Sequence, residues 1–270
     1  MAVMRQQKGA PHKGALFALW GYRLYLFLVF ALSQQALALG GCPLEKADAT
    51  AGVSYVYDGD TVKLSDGRKL RFVGINTPEI DHDGGPSEPF SQAARNRVQQ
   101  LIGSGQLRFR YGRERHDRYG RLLGHPYLAD GRSLNVLLLQ EGLATTLVVP
   151  PNTWNQECYQ SVEQQAREKG LGIWSLPRYR IISPGELSKG EKGYRLVGSV
   201  LEHVAESRNS IWLEMEGRMA LRIARKDLPY FADWDFEALV GRRLVARGWP
   251  RFHKGKWRMT LRHPAALELQ

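Results

Sequence analysis

Residues 57–79 read Y-D-G-D-T-V-K-L-S-D-G-R-K-L-R-F-V-G-I-N-T-P-E, and the fold turns on how this stretch is read. Val62 and Leu64 face one way and Lys63 the other, the two-residue period of a half-buried strand. Asp66-Gly67 is the strongest short hairpin signal in the stretch. Residues 68–75 then form the returning strand. The two strand ends lie side by side, so Asp58, Asp60 and Thr61 come close to Asn76, Thr77 and Glu79, with Arg71 alongside. Carboxylate, amide and carbonyl oxygens suit a hard cation such as Ca2+, and an adjacent arginine suits a phosphate. A plain polar hairpin would use the same D-G-D turn, so the choice falls to the rest of the chain.

Downstream, residues 80–90 are rich in Asp, Gly and Pro and read as a surface loop. Ser91 is expected to cap a helix in which Ala94, Val98, Leu101 and Ile102 recur at helical spacing, ended by Gly103. Residues 107–111 alternate as a strand, 113–121 form a dense polar turn, and 122–128 form another strand. A helix over 134–141 closes at Gly142, residues 144–149 are extended, and a helix over 155–169 stops at Gly170. This order is that of a small barrel with helices packed around it.

Four motifs now stand in sequence: D-G-D-T at 58–61, R-F-V-G-I-N-T-P-E at 71–79, D-R-Y-G-R at 117–121, and E-x-x-A-R-x-x-x-x-G-I-W at 163–174. Together they resemble the staphylococcal nuclease (thermonuclease) family over residues 52–176. The resemblance implies a mainly β, α+β fold: an OB-like five-stranded barrel with three packed helices. It also implies Ca2+-dependent cleavage of DNA and/or RNA phosphodiesters with one Ca2+ ion. Carried over position by position, it makes Asp60 the metal carboxylate, Thr77 a ligand through its carbonyl, and Asp58 a residue behind the ligands. Glu79 becomes the base or orienter of the attacking water, and Arg71 and Arg121 the pair that grips the scissile phosphate. Tyr119 and Arg118 become substrate-binding residues. Two positions depart from the family pattern. Asn76 stands where the family has a second metal-binding aspartate, and its amide oxygen can still ligate Ca2+ without the charge. Base-stacking tyrosines are expected near residues 147–151, where this chain has Val148 and Val149. His116 reads as a solvated loop residue.

The chain has 270 residues, a formal charge of +11 and a pI near 9.8. Residues 1–38 hold Arg5, Lys8, Lys13 and Arg23 and no acid, and the remainder is basic too, as a polyanionic partner requires. Residues 24–32 form an apolar run, well short of the roughly 20 residues that span a bilayer. Ala36-Leu37-Ala38 follows it as a small-x-small cleavage site, so residues 1–41 read as a signal peptide and cleavage region. Leu39-Gly40-Gly41-Cys42 also resembles a lipobox, which would lipidate Cys42. Either reading exports the protein, to the periplasm or beyond, without a stable membrane span. Cys42 and Cys158 are the only cysteines, and an even count in an exported chain favours a disulfide between them.

Residues 42–177 are thus expected to form the nuclease-like domain and 178–194, with four Pro or Gly among mixed charges, a linker. Residues 195–270 alternate as five strands with a helical stretch over 226–239, in the order of a second small OB-like barrel. Trp212, Trp249, Phe252 and Trp257 lie among basic residues there, as a single-strand-binding surface or as barrel core and rim. The whole reads as an exported, Ca2+-dependent phosphodiester hydrolase of endonuclease type. Its substrate is DNA and/or RNA, single-stranded or flexible, with no obligate protein partner. The alternative is a non-catalytic nucleic-acid-binding protein with a metal site weakened by Asn76. Against it stands Glu79, whose charge repels phosphate and serves no binder.

Overall fold

The computed structural model describes residues 42–43, 46–81 and 83–270; the expected signal peptide over residues 1–41 lies outside them. The hairpin is present. Strand β2 (Thr61–Leu64) pairs antiparallel with β3 (Lys69–Phe72), matching Thr61 with Arg71 and Val62 with Leu70. Gly67 takes the positive φ of 89°, and the Asp66 carboxylate accepts from the Arg68 backbone N–H at 3.0 Å, closing the turn. This register fixes the site, because it sets Arg71 directly opposite the residue after Asp60.

The hairpin extends into a closed five-stranded barrel, ordered β1 (Ala49–Val56), β2, β3, β6 (Leu122–Tyr127), β5 (Gln106–His116) and back to β1. Between β3 and β5 lie β4 (Gly74–Asn76) and α1 (Ser91–Ile102). Inward residues such as Val62, Leu64, Leu70, Phe72, Leu107 and Phe109 fill the core. Helix α2 (Leu134–Gln140) and α3 (Gln156–Glu168) flank the barrel, and β7 (Thr145–Leu147) pairs with β4. Gly74 has φ +90°, and a Cβ there would lie 2.6 Å from the Tyr159 ring. The chain therefore turns out of β3 against α3, which carries Asn76 across to Thr145. Ser91 is the first helical residue and is buried; Phe90, in the left-handed region, takes the cap position instead. The expected polar turn at 113–121 is shorter, since β5 runs on to His116 across a register shift.

Cys42 and Cys158 are bonded, with their Cα atoms 5.8 Å apart. The sulfur that a lipid thioether would need is thereby occupied, so the lipobox reading of Cys42 gives way to the disulfide. No described helix is long and apolar enough to cross a membrane.

The second half is an eight-stranded sheet. Residues 178–194 carry short 3-10 turns and β8 (Ile181–Ile182), which pairs in parallel with β9 (Arg195–Ser207). From β9 the sheet runs to β10 (Ser210–Met215) and β11 (Met219–Ala224) on one side, and to β12 (Arg243–Gly248) on the other. β13 (Arg251–His253) pairs with β14 (Lys256–Leu261), which pairs in parallel with β11; β15 (Leu267–Leu269) pairs with β12. The long strand β9, paired with β8, β10 and β12, and the parallel pairing of β11 with β14 are OB-like features. The stretch 226–239 forms two short 3-10 segments, not one helix, and Pro229 inside the first removes a backbone donor. Of the aromatics, Trp257 is buried in this core while Trp249 and Phe252 stay exposed.

The halves join through a buried polar contact. Arg247 of β12 meets Glu163 of α3, with both side chains about 95% buried (5% and 4% exposed). Arg247 Nε donates to the Tyr194 hydroxyl at 2.7 Å, and Nη2 to Thr146 Oγ1 at 3.0 Å. Glu163 accepts from Thr146 N and Thr146 Oγ1 at 2.7 and 2.8 Å. Ile173, Tyr179, Tyr194, Leu196 and Val245 pack beside this network. Residues 42–270 accordingly form one compact unit.

Candidate active site

Arg71 is the hub of the site. Its Nη2 lies 3.0 Å from Asp60 Oδ2 and 3.3 Å from Asn76 Oδ1, and its Nη1 donates to the Ile75 carbonyl at 3.1 Å. The hairpin register delivers Asp60, and the β4–β7 pairing delivers Asn76. Asp60 is buried, and its carboxylate also accepts from Thr61 Oγ1 at 3.0 Å and from the Thr77 backbone N–H at 2.9 Å. The Asn76 amide donates to the Thr77 carbonyl at 3.2 Å. Asp58 accepts from the Asp60 backbone N–H at 2.9 Å. Gly59 is required here, since a Cβ would fall 2.6 Å from Ala94 Cβ and 2.7 Å from Thr77 Cγ2.

Carboxylates crowd this corner. Burial and the Asp60 charge push the Asp58 carboxyl up to about 7. Glu79 stands at the exposed rim, its backbone N–H donating to Glu88 Oε2 at 3.0 Å. The surrounding protein, then Asp60, raise its carboxyl above the ordinary value, while Arg71 and Arg121 pull against them. Among the described residues, no three His, Cys, Asp or Glu side chains close on a common point. A metal here would therefore draw on amide and carbonyl oxygens as well as carboxylates. That donor set is all oxygen, and the mutual repulsion of Asp58, Asp60 and Glu79 is what a bound cation would relieve. The residues fit a hard divalent cation such as Ca2+.

Arg121 reaches the site from the turn between β5 and β6. Its Nε donates to Asp117 Oδ2 at 2.7 Å, and the same carboxylate accepts from the Tyr119 and Arg121 backbone N–H groups. These hydrogen bonds outweigh burial and hold the Asp117 carboxyl below its ordinary value. Arg118 and Arg121 lie over the Tyr119 ring, 4.7 and 5.6 Å from its centroid, and Arg118 donates to its hydroxyl at 2.6 Å. Tyr119 is 68% exposed, open to a ligand. Arg71, Arg118, Tyr119 and Arg121 line one cavity of about 410 Å³.

Arg71 thus joins the oxygens of Asp60 and Asn76 to the cavity that Arg118, Tyr119 and Arg121 line, and Glu79 is exposed within electrostatic reach of Asp60, Arg71 and Arg121. His116 is exposed at the end of β5 and does not line the cavity. Leu147 and Val149 line the wall where stacking tyrosines were expected, so that wall offers apolar contact without aromatic rings. Sequence reasoning missed two contributors. Asp117 had a local signal, standing four residues before Arg121 in a tight turn. Arg262, which lines the same cavity from the second half of the chain, had none.

Comparison with known proteins returned the model of the family described as "Staphylococcal nuclease homologue", matched over residues 69–176. The thermonuclease of Staphylococcus intermedius is 34% identical over 143 residues, covering 50% of this chain and 84% of that protein. Endonuclease YncB of Bacillus subtilis is 37% identical over 127 residues, covering 45% of this chain and 60% of that protein. The thermonuclease of Staphylococcus hyicus is 32% identical over 131 residues, covering 47% of this chain and 77% of that protein.

Proposed function

The chain belongs to the staphylococcal nuclease homologue family, and from that premise we propose that it is an exported, Ca2+-dependent endonuclease acting on DNA and/or RNA. The observation that carries this reading is the hub geometry: Arg71 and Arg121 share one cavity, and Arg71 touches the oxygen cluster of Asp60 and Asn76. In this reading 42–177 holds the chemistry, 178–194 connects, and 195–270 is accessory. Export rests on the leader-like residues 1–41 and on the Cys42–Cys158 bond, which persists in oxidising compartments.

Asp60, Asn76 Oδ1 and the Thr77 carbonyl would hold the ion, with Asp58 behind them holding the Asp60 backbone N–H. A bound Ca2+ supplies Lewis-acid charge beside the phosphoryl oxygens. Arg71 and Arg121 hold the scissile phosphate by charge-assisted hydrogen bonds, which strengthen as negative charge grows on its oxygens. For Arg71 this means exchanging some of its contact with Asp60 and Asn76 for the substrate. Glu79, ionised, accepts a proton from water as the new P–O bond forms and the bond to the leaving nucleoside oxygen breaks. Its rim position leaves it open to solvent water. Tyr119 and Arg118 flank the entry and bind the adjoining strand.

The test is release of acid-soluble nucleotides from DNA and RNA by the purified protein, with Ca2+ and with chelator. Activity should need the ion, and Glu79→Gln should lose about 100-fold or more in kcat while nucleic-acid binding persists. Full activity in excess chelator, or an unaffected Glu79→Gln, refutes the mechanism.

A further inference from the structure

Arg262 follows directly after β14, in the half of the chain that the family match does not reach, yet it lines the cavity that holds Arg71 and Arg121. Its position is fixed from several sides. The parallel ladder with β11 sets the end of β14, pairing Ile223 with Leu261. Its Nη2 donates to the Pro150 carbonyl at 3.1 Å, on the loop beside Val149, and lies 3.7 Å from the buried carboxylate of Asp227. The buried Arg247–Glu163 pair locks the half that carries it against the barrel. Among the described residues, Arg262 Nε and Nη1 donate to no protein acceptor, and its side chain is 38% exposed. A guanidinium held this way, with donors to spare in an open cavity, suits a phosphate oxygen.

We infer that Arg262 binds a phosphate of the substrate strand next to the scissile one, so that both halves of the chain build the substrate site. This rests on the nuclease reading of the cavity and adds a partner for the flanking strand. It also accounts for the wall formed by Leu147 and Val149: where aromatic rings would grip a base, a cation anchored to the next residue, Pro150, grips the backbone instead. Recognition then depends on phosphates and is indifferent to base identity.

The experiment compares wild type, Arg262→Ala, Arg262→Lys and Arg208→Ala, all full length and in chelator so that nothing is cut. Arg208 is an exposed arginine on the β9–β10 turn, away from the cavity, and controls for charge. Binding is measured by anisotropy of a labelled single-stranded octanucleotide and by competition with a dinucleoside monophosphate, which has only the one phosphate. Arg262→Ala should weaken the octanucleotide about 10-fold, the size expected for one lost charge-assisted contact in an open site. It should leave the dinucleoside unchanged and lower the salt slope by roughly 0.7. Arg262→Lys should recover most of the loss, and Arg208→Ala should show none. Equal weakening at both lengths would mean a docking or folding defect, and no weakening at either would remove Arg262 from the site; each overturns the inference. Wild type that binds but does not cut with Ca2+ would refute the nuclease reading separately, leaving the length comparison to judge Arg262.

Discussion

Replacing Glu163 by Gln should cost the protein about 3–5 kcal/mol, the range for removing one partner of a buried ion pair. Gln keeps the volume and an oxygen for the Thr146 backbone N–H, which Glu163 now accepts at 2.7 Å. What it removes is the charge facing Arg247, a guanidinium only 5% exposed. In the wild type, burial opposes that charge and Glu163 with Tyr194 outweighs it; in the variant the burial remains without Glu163, and a guanidinium does not escape by losing its proton. Glu268 is the next acid, 3.5 Å from Arg247 Nη1, but it is 32% exposed and shared with Arg167. It screens part of the loss and favours the lower end of the range. For a unit of this size, 3 kcal/mol lowers Tm by about 6–12 °C. Urea unfolding followed by far-UV circular dichroism and by tryptophan fluorescence measures the change. Because the pair ties α3 to β12, both probes should shift together. The double variant Glu163→Met/Arg247→Met should regain most of the loss, since matched apolar replacement of a buried pair is often neutral. A Glu163→Gln loss below about 1 kcal/mol would show that Arg247 is solvated and that the two halves are not locked by this contact.

Two further outcomes follow. Asn76→Asp should tighten Ca2+ binding about 10-fold in a calorimetric titration, because it adds a unit charge to an oxygen-donor set. Equal affinities would mean that residue 76 does not face the ion and spends its oxygen on Arg71 alone. His125 is buried with Nδ1 3.1 Å from the Tyr159 hydroxyl, its ring against Trp154, and burial, helped by the nearby Arg110 charge, lowers its pKa from 6.5 to about 3. The unfolded chain therefore binds a proton that the folded one refuses, and stability falls as pH drops below 6.5 toward 3. Between pH 7.5 and 5 this one group should cost about 2 kcal/mol, and urea midpoints of wild type against His125→Gln should show that difference disappearing in the variant. A difference of equal size at both pH values would mean that His125 titrates normally.

The parts of the site that lie close together along the chain are legible in the residues themselves. Asp66-Gly67 announces its turn, the alternation of Val62, Lys63 and Leu64 assigns faces, and the register that follows brings Asp60 to Arg71. Asp117 and Arg121 meet within one turn. The parts that are not legible depend on contacts across great sequence distance. Arg262 and Pro150 touch over 112 residues, and in the sequence Arg262 is one more cation on a basic chain. Arg247 sits in a strand where alternation alone cannot tell an outward arginine from one buried against another layer. Its partner Glu163 reads as the polar side of α3 until β12 packs there. Residues 178–194 look like a tether by composition, yet Ile181 and Ile182 pair with β9 through a two-residue ladder too short to leave a periodic signal.

The bond between Cys42 and Cys158 has a consequence for biogenesis. The two cysteines stand 116 positions apart, so the first must wait as a thiol until α3 has been made. At synthesis rates of about 5–20 residues per second, that wait is roughly 6–23 s. With only two cysteines in the chain, no wrong intramolecular pairing exists during this interval. Every competing product joins Cys42 to another molecule, a small thiol or a second copy. Errors in oxidation should therefore appear as mixed disulfides and covalent dimers, and never as a scrambled monomer. A thiol-disulfide catalyst acting on this chain needs to oxidise it and release trapped adducts, without having to sort isomers.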